Sequence, residues 1–422
     1  MTEYHNYTWR YNNDYMIEDI IFMISKYLDR RSLINFLSIC KRTKQYDKIF
    51  FDKYSLNNER LFNCSPVFWN KIKKIINWDF NIPISRLTKS ITHLKFSSYF
   101  HQRIDNLPNS ITHLTLYSSF NHRIDNLPNS IIKLKMGNRF NQPIDYLPDS
   151  ITHLSLSGDF NHPINNLPNS ITHLNLSDCF NQKIDNLPNS ITHLTLGHCF
   201  NQKIDNLPNS ITHLTLDNDF NKPINQLPSS IRHLTLGYHF NQPIDNLPMS
   251  ITHLTLGHYC NQIDNLPNSI THLTLENDFN KPINLLPSSI SHLTLGYHFN
   301  QPIDDLPMSI THLTLGHYFN QRVDHLPDSI TRLTFDYHFN QPIDNLPGSL
   351  THLKLGMFFN QSIDNLPNSI IHLNLEEGCN QSIDNLPDSI EYLTLGKYFS
   401  YPINKLPQNL RHLKIGIVNI QI

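Results

Sequence analysis

Hydrophobic and polar positions alternate with a fixed rhythm from residue 80 almost to the C-terminus. In Ile191-Thr192-His193-Leu194-Thr195-Leu196, Leu194 and Leu196 alternate with His193 and Thr195. That period of two predicts a short strand with one buried face. Ile191, Phe200, Ile204 and Leu207 add further apolar points, enough to fill a narrow coil if neighbours cover both of its open sides. The unit F-N-Q-P-I-D-N-L-P-N-S-I-T-H-L-T-L-G-x-x recurs in 17 copies, opening at Phe80 and ending with the copy at Phe399. A short fixed period is the mark of a solenoid, in which one supersecondary unit stacks on the next. Stacked units present long repetitive surfaces of the kind that bind other proteins.

Within the unit, Pro208 lacks a backbone donor and excludes a central strand after Leu207, so this segment belongs to the outer, irregular side of the coil. Asn201 and Asp205 recur as Asn or Asp, and their side chains can bond backbone groups of successive coils. Glycine often follows the strand, as at Gly257, Gly316 and Gly356, and is expected to allow a tight exit turn. Parallel strands about 4.8 Å apart would make an array roughly 80 Å long. One residue is missing between Gln262 and Ile263, so the coil at Cys260 is expected to be pinched rather than to mark a boundary.

Ile191-x-x-Leu194-x-Leu196 has leucine-rich-repeat spacing. Phe240–Pro248, F-N-Q-P-I-D-N-L-P, resembles the FNIP repeat, a leucine-rich-repeat relative of amoebae and their giant viruses. The resemblance implies a protein-binding solenoid and, for a viral source, residence in the host cytoplasm. The unit departs from ordinary leucine-rich repeats, because Asn201 comes five residues after Leu196 rather than three.

Residues 1–79 do not repeat. Ile17, Ile20, Ile21, Ile24 and Leu28 follow a helical period, and Leu33, Phe36, Leu37 and Cys40 share one face of a second predicted helix. Ser32 is a candidate N-cap. Phe68, Trp69, Ile72 and Ile76 predict another amphipathic helix, docked on the first coil. The fold expectation is therefore α+β: a helical domain over 1–51, a helical linker and cap over 52–79, and a solenoid with its C-terminal cap over 80–422. Two readings of the first helices stand together. They seal the end of the solenoid, as such arrays require, or they form a docking domain. The second rests on resemblance to the F-box, with Met16-Ile17 in place of its Leu-Pro and Thr43 in place of its Trp. It implies that Met16, Ile17, Ile20, Ile21, Ile24, Leu28, Leu33, Phe36 and Leu37 dock a Skp-like adaptor and through it a cullin ubiquitin ligase. The alternative is a ligase-independent interaction scaffold.

Charge and cysteine content narrow the classes. Lys plus Arg total 33 against 35 Asp plus Glu, a formal net charge of −2, so nothing draws the chain as a whole to nucleic acid. No apolar run approaches the roughly 18–20 residues that span a bilayer, and Met1–Tyr15 has no apolar core of a leader. The expected location is cytoplasmic. The six cysteines form no C-x-x-C pair, which fits a reducing compartment, although Cys179 and Cys199 hold the same place in adjacent units.

Candidate chemistry lies in the rows that stacking would create. Histidine precedes the first strand leucine in 14 of 17 units, from His93 to His412, with Lys133, Arg332 and Tyr392 in the others. Stacked at strand spacing, these residues form an imidazole ribbon. It serves as structure, as a partner surface, or as a metal site, although no acidic or thiol position completes a regular one. Mutual repulsion should lower the ribbon's pKa values and leave it neutral at pH 7. Specificity, as opposed to drift on a solvent edge, would reside in the variable triplets after each strand. There Tyr238, His239, His258, Tyr259, Tyr297, His298, His317, Tyr318, Tyr337 and His338 are the candidate target-binding residues. No catalytic, metal or cofactor site is assigned, because Ser, His and Asp recur in the same register whereas a triad needs one unique geometry.

Overall fold

The computed structural model describes residues 48–50, 73–78, 84–176, 178–257 and 263–421. Among these residues, twenty strands join one sheet. Seventeen of them are the repeat strands, running from His93–Phe96 to His412–Ile415. Each pairs in parallel with the next, in register, as His193↔His213 and Leu194↔Leu214 show. In the strand His193–Leu196 the burial alternates, with the two leucines inside and His193 and Thr195 half exposed. The core is a single continuous stack of isoleucine, leucine and phenylalanine rows. Phe200 is fully buried. Its ring lies 6.2 Å from Phe180 at 5° and 6.1 Å from Phe220 at 9°. Cys379 takes the phenylalanine place in a later coil and is equally buried.

The outer side of each coil is tied by side chains. The Ser210 hydroxyl donates to the Ile191 carbonyl of the coil before it at 2.6 Å. This serine row repeats through the array, and sequence reading assigned it no role. The asparagine ladder forms as expected: the Asn201 N–H and the Gln202 Nε2 each donate to Asn181 Oδ1 at 3.0 Å. A companion row joins Asn365 Nδ2 to Asp344 Oδ1 at 3.0 Å.

The α+β expectation is overturned. No α-helix occurs among the described residues, which form a β solenoid with a single 3-10 turn at Ile84–Arg86. The helix expected to dock on the first coil ends instead in the strand Lys74–Trp78, paired in parallel with His93–Phe96. A further strand, Lys48–Phe50, pairs with Lys74–Trp78 and falls within the segment expected to be helical. The physical reason is an open edge. The first repeat strand presents unpaired backbone groups, and Lys74-Ile75 offers the same exposed–buried alternation, so pairing overrides the helical spacing. Ile75 is fully buried and lies beside Leu94 in the register. The F-box-like positions Met16 to Leu37 lie outside the described residues.

The far end closes differently. Val418–Gln421 folds back antiparallel on His412–Ile415, turning at Gly416, whose φ of 57° suits a two-residue hairpin. Gly356 and Gly316, each directly after a strand, act through space rather than through φ. A Cβ at Gly356 would run into the Asp336 carbonyl of the preceding coil, and one at Gly316 into that of Gly296. The pinched coil at Cys260 is only partly visible, since residues 258–262 lie outside the described residues. Its strands keep register across the missing residue, with His253 paired to His272.

Candidate recognition surfaces

Strand alternation places the histidine row on the outer face of the sheet, where the imidazoles stack. His93 lies on His113 at 4.0 Å and 14°. Lys133 interrupts the row, and an unbroken stack then runs from His153 to His312 at 4.1–4.2 Å. After Arg332 the ribbon resumes with His352 on His372, and Tyr392 continues it in place of histidine, 4.3 Å from His372. Where threonine or serine precedes the histidine, the ring is also held from behind. The Thr192 hydroxyl donates to the Thr172 carbonyl at 3.1 Å, and its oxygen lies 2.9 Å from His193 Nδ1. The recurring threonine before the histidine carried that signal in the sequence, but its role went unread.

Several histidines of the ribbon have lowered pKa values, with burial the leading cause. The His213 pKa falls to about 4, first through burial and then through the neighbouring His193 and His233. His352 is lowered to about 4 by burial and by His372 and Arg332. Burial thus outweighs the imidazole–imidazole repulsion that sequence reasoning named. Among the described residues, no group of three His, Cys, Asp or Glu side chains converges to hold a metal ion.

The second surface is the edge formed by the post-strand triplets. Two rows of rings run side by side there. In one, Tyr297 lies on His317 at 4.3 Å and His317 on Tyr337 at 4.4 Å. In the other, His298 lies on Tyr318 at 5.1 Å, Tyr318 on His338 at 4.8 Å, and His338 on Phe358 at 5.1 Å. Rings of one row meet the other edge-on, as Tyr297 meets Tyr318 at 90°. Six of the expected target-binding residues therefore form one block, and Phe358 joins it unforeseen. Tyr297, Tyr318 and Phe358 remain 42%, 41% and 49% exposed. His298 Nε2 lies 3.0 Å from Asp278 Oδ1. Tyr238 and His239 form a separate edge-on pair at 4.9 Å in an earlier coil. His258 and Tyr259 lie outside the described residues.

Cys179 and Cys199 are free thiols in adjacent coils, the first exposed and the second half-buried. Burial, followed by the charge of Cys179, raises the pKa of Cys199. No helix among the described residues is long and apolar enough to cross a membrane.

A sheet of parallel repeat strands, one face packed on stacked coils and the other lined by repeating side chains, defines a leucine-rich-repeat-like solenoid, a class typical of interaction proteins rather than enzymes. The FNIP repeat model matches residues 78–118, 102–139, 120–159, 140–179, 160–199, 180–215, 200–239, 240–278, 263–298, 299–338, 322–358 and 380–417. The chain belongs to the FNIP repeat family. Among solved structures it is similar to CroV588, described as a novel circular LRR protein. The identity is 36% and the TM-score 0.59, over 82% of this chain and 69% of that one. Two more distant likenesses are YopM from Yersinia enterocolitica WA-314 and a functional domain of InlJ from Listeria monocytogenes that includes a cysteine ladder. YopM shares 19% identity at a TM-score of 0.44 over 77% of this chain and 73% of that one. InlJ shares 10% at 0.36 over 68% and 58%. No curated protein matches the chain.

Proposed function

We propose that this chain is a protein-interaction scaffold and that the Tyr/His block between Tyr297 and Phe358 is where it holds its target. The observation that carries this reading is the packing of seven rings into two rows on the post-strand edge, with Tyr297, His298, Tyr318 and Phe358 exposed. Tyrosines that are already ordered lose little entropy on binding and offer apolar area with a polar tip, which is why they recur as interface hot spots. The solenoid supplies rigidity and contributes no chemistry of its own. Affinity purification with the intact chain and with a Tyr297→Ser/Tyr318→Ser/Tyr337→Ser variant tests it. Retention of the same partners by the variant would remove the edge from the site.

A finer reading is that the scaffold serves as the target-recognition subunit of a Skp–cullin–F-box ubiquitin ligase in the cytoplasm. Its support is the sequence alone, the F-box-like spacing of Ile20, Ile21, Ile24, Leu33, Phe36 and Leu37. On this reading the chain contributes proximity, and catalysis belongs to its partners. Co-purification with a Skp adaptor, abolished by Ile20→Asp/Ile24→Asp, is the expected result. Absence of the adaptor from the intact chain would leave the ligase-independent scaffold.

A further inference from the structure

The outward strand face carries a charge pattern that composition does not account for. The first and third residues of every repeat strand point outward. In none of the seventeen repeat strands is either position Asp or Glu, although the chain holds 35 such residues. Six of these positions carry a permanent cation: Lys95, Lys133, Lys135, Arg332, Lys354 and Lys414. Among the described repeat coils, acidic residues lie outside these two strand positions. The cations divide into two groups. In the later group, Lys354 is engaged by Glu376 at 2.7 Å. The earlier group is more compact. Lys133 and Lys135 are exposed on one strand, Lys95 lies two coils before, and Lys74 is paired in register with His93. Lys95 is held 4.8 Å over the Tyr117 ring. Lys74 and Lys133 both act on His113, lowering its pKa after burial and His93, so these ammonium groups share one field.

We propose that the strand face over the first coils, centred on Lys95, Lys133 and Lys135, docks an acidic polypeptide segment. Three lysines across two strand steps, roughly 10 Å, match an extended Asp/Glu-rich stretch. Such a stretch turns a side chain to one side about every 6.6–6.8 Å. A single-stranded nucleic acid fits less well. It relies on ring faces on which bases can stack, whereas His93 and His113 cover each other and Lys95 covers Tyr117. The cationic face and the aromatic edge are separate surfaces, so either stands without the other.

The test uses the full chain with a labelled poly-L-glutamate of about 20 residues, a length well beyond the roughly 10 Å patch. The expected result is saturable binding that weakens with added salt and falls at least tenfold in Lys133→Glu/Lys135→Glu. Arg332→Glu/Lys414→Glu should leave it unchanged. Lys133→Gln/Lys135→Gln repeats the measurement without adding negative charge, should the first variant unfold. Lack of saturable binding, equal binding by the glutamine variant, or tighter binding of an oligothymidylate of the same length would each overturn the proposal.

Discussion

The imidazole of His213 lies flat on that of His233, with ring centroids 4.1 Å apart and planes 8° from parallel. Stacking of this kind tolerates neutral rings and penalises charged ones. The His213 pKa in the fold, about 4, lies below the ordinary value of 6.5, with burial the leading cause. The sign follows directly. Between those two values the unfolded chain binds the proton that the folded chain refuses, so stability rises with pH across that window. The contribution is fully present above about 6.5 and is lost as pH falls toward 4. His173, His233, His253 and His272 shift in the same direction. The melting temperature should therefore fall steadily between pH 7 and pH 4.5. Replacing His213, His233 and His253 with asparagine should flatten that slope. An unchanged slope, or NMR titration of His213 near 6.5, would contradict the assignment.

The core rows predict a local cost. Phe200 is fully buried between Phe180 and Phe220. Phe200→Ala should destabilise the array by about 3–5 kcal/mol, the usual cost of an aromatic cavity. Because each coil touches only its neighbours, the loss should be concentrated there. Hydrogen exchange should accelerate in the strands His193–Leu196 and His213–Leu216 more than at either end of the array. Uniform acceleration would indicate a more cooperative solenoid than nearest-neighbour stacking supports.

The ladders on the outer side predict smaller effects. Asn181 Oδ1 accepts from the Asn201 N–H and from Gln202. Asn181→Ala should cost about 1 kcal/mol, the net worth of a part-exposed hydrogen bond. Exchange of the Asn201 amide should quicken while the neighbouring strand stays protected. Ser210→Ala removes the donor to the Ile191 carbonyl, and a similar loss of about 1 kcal/mol is expected from denaturant unfolding.

Much of this was readable from the chain because the repeat imposes one geometry on each position. Leu194 and Leu196 had to face inward, and His193 and Thr195 outward, once the period was known. The imidazole ribbon and the asparagine ladder followed from stacking alone. The residues that escaped notice act between coils. Thr192 seemed only to flank the strand, yet it bridges His193 to the Thr172 carbonyl. Phe358 follows a methionine rather than a tyrosine or histidine, so it broke the sequence pattern that linked the other rings. Gly316 and Gly356 looked like turn residues, whereas the constraint is the approach of the preceding coil. The Lys74–Trp78 segment was misread because its helical spacing is local, while the open edge it pairs with is a property of the fold.

The aromatic edge carries the functional claim. Tyr318 meets His298 and His338 face to face and Tyr297 edge-on, so it sits at the centre of the block. Its OH is the polar tip of a rigid, half-exposed ring. Tyr318→Phe should retain most of the target affinity if the ring supplies it, whereas Tyr318→Ala should lose about 2 kcal/mol or more, as central interface tyrosines do. Circular dichroism should show both variants folded.

The most direct measurement is the affinity of a purified target for the intact chain and for Tyr297→Ser/Tyr318→Ser/Tyr337→Ser, read by calorimetry. The expected result is a loss of about 30-fold or more with the fold intact. An unchanged affinity in a folded variant would place recognition elsewhere on the solenoid.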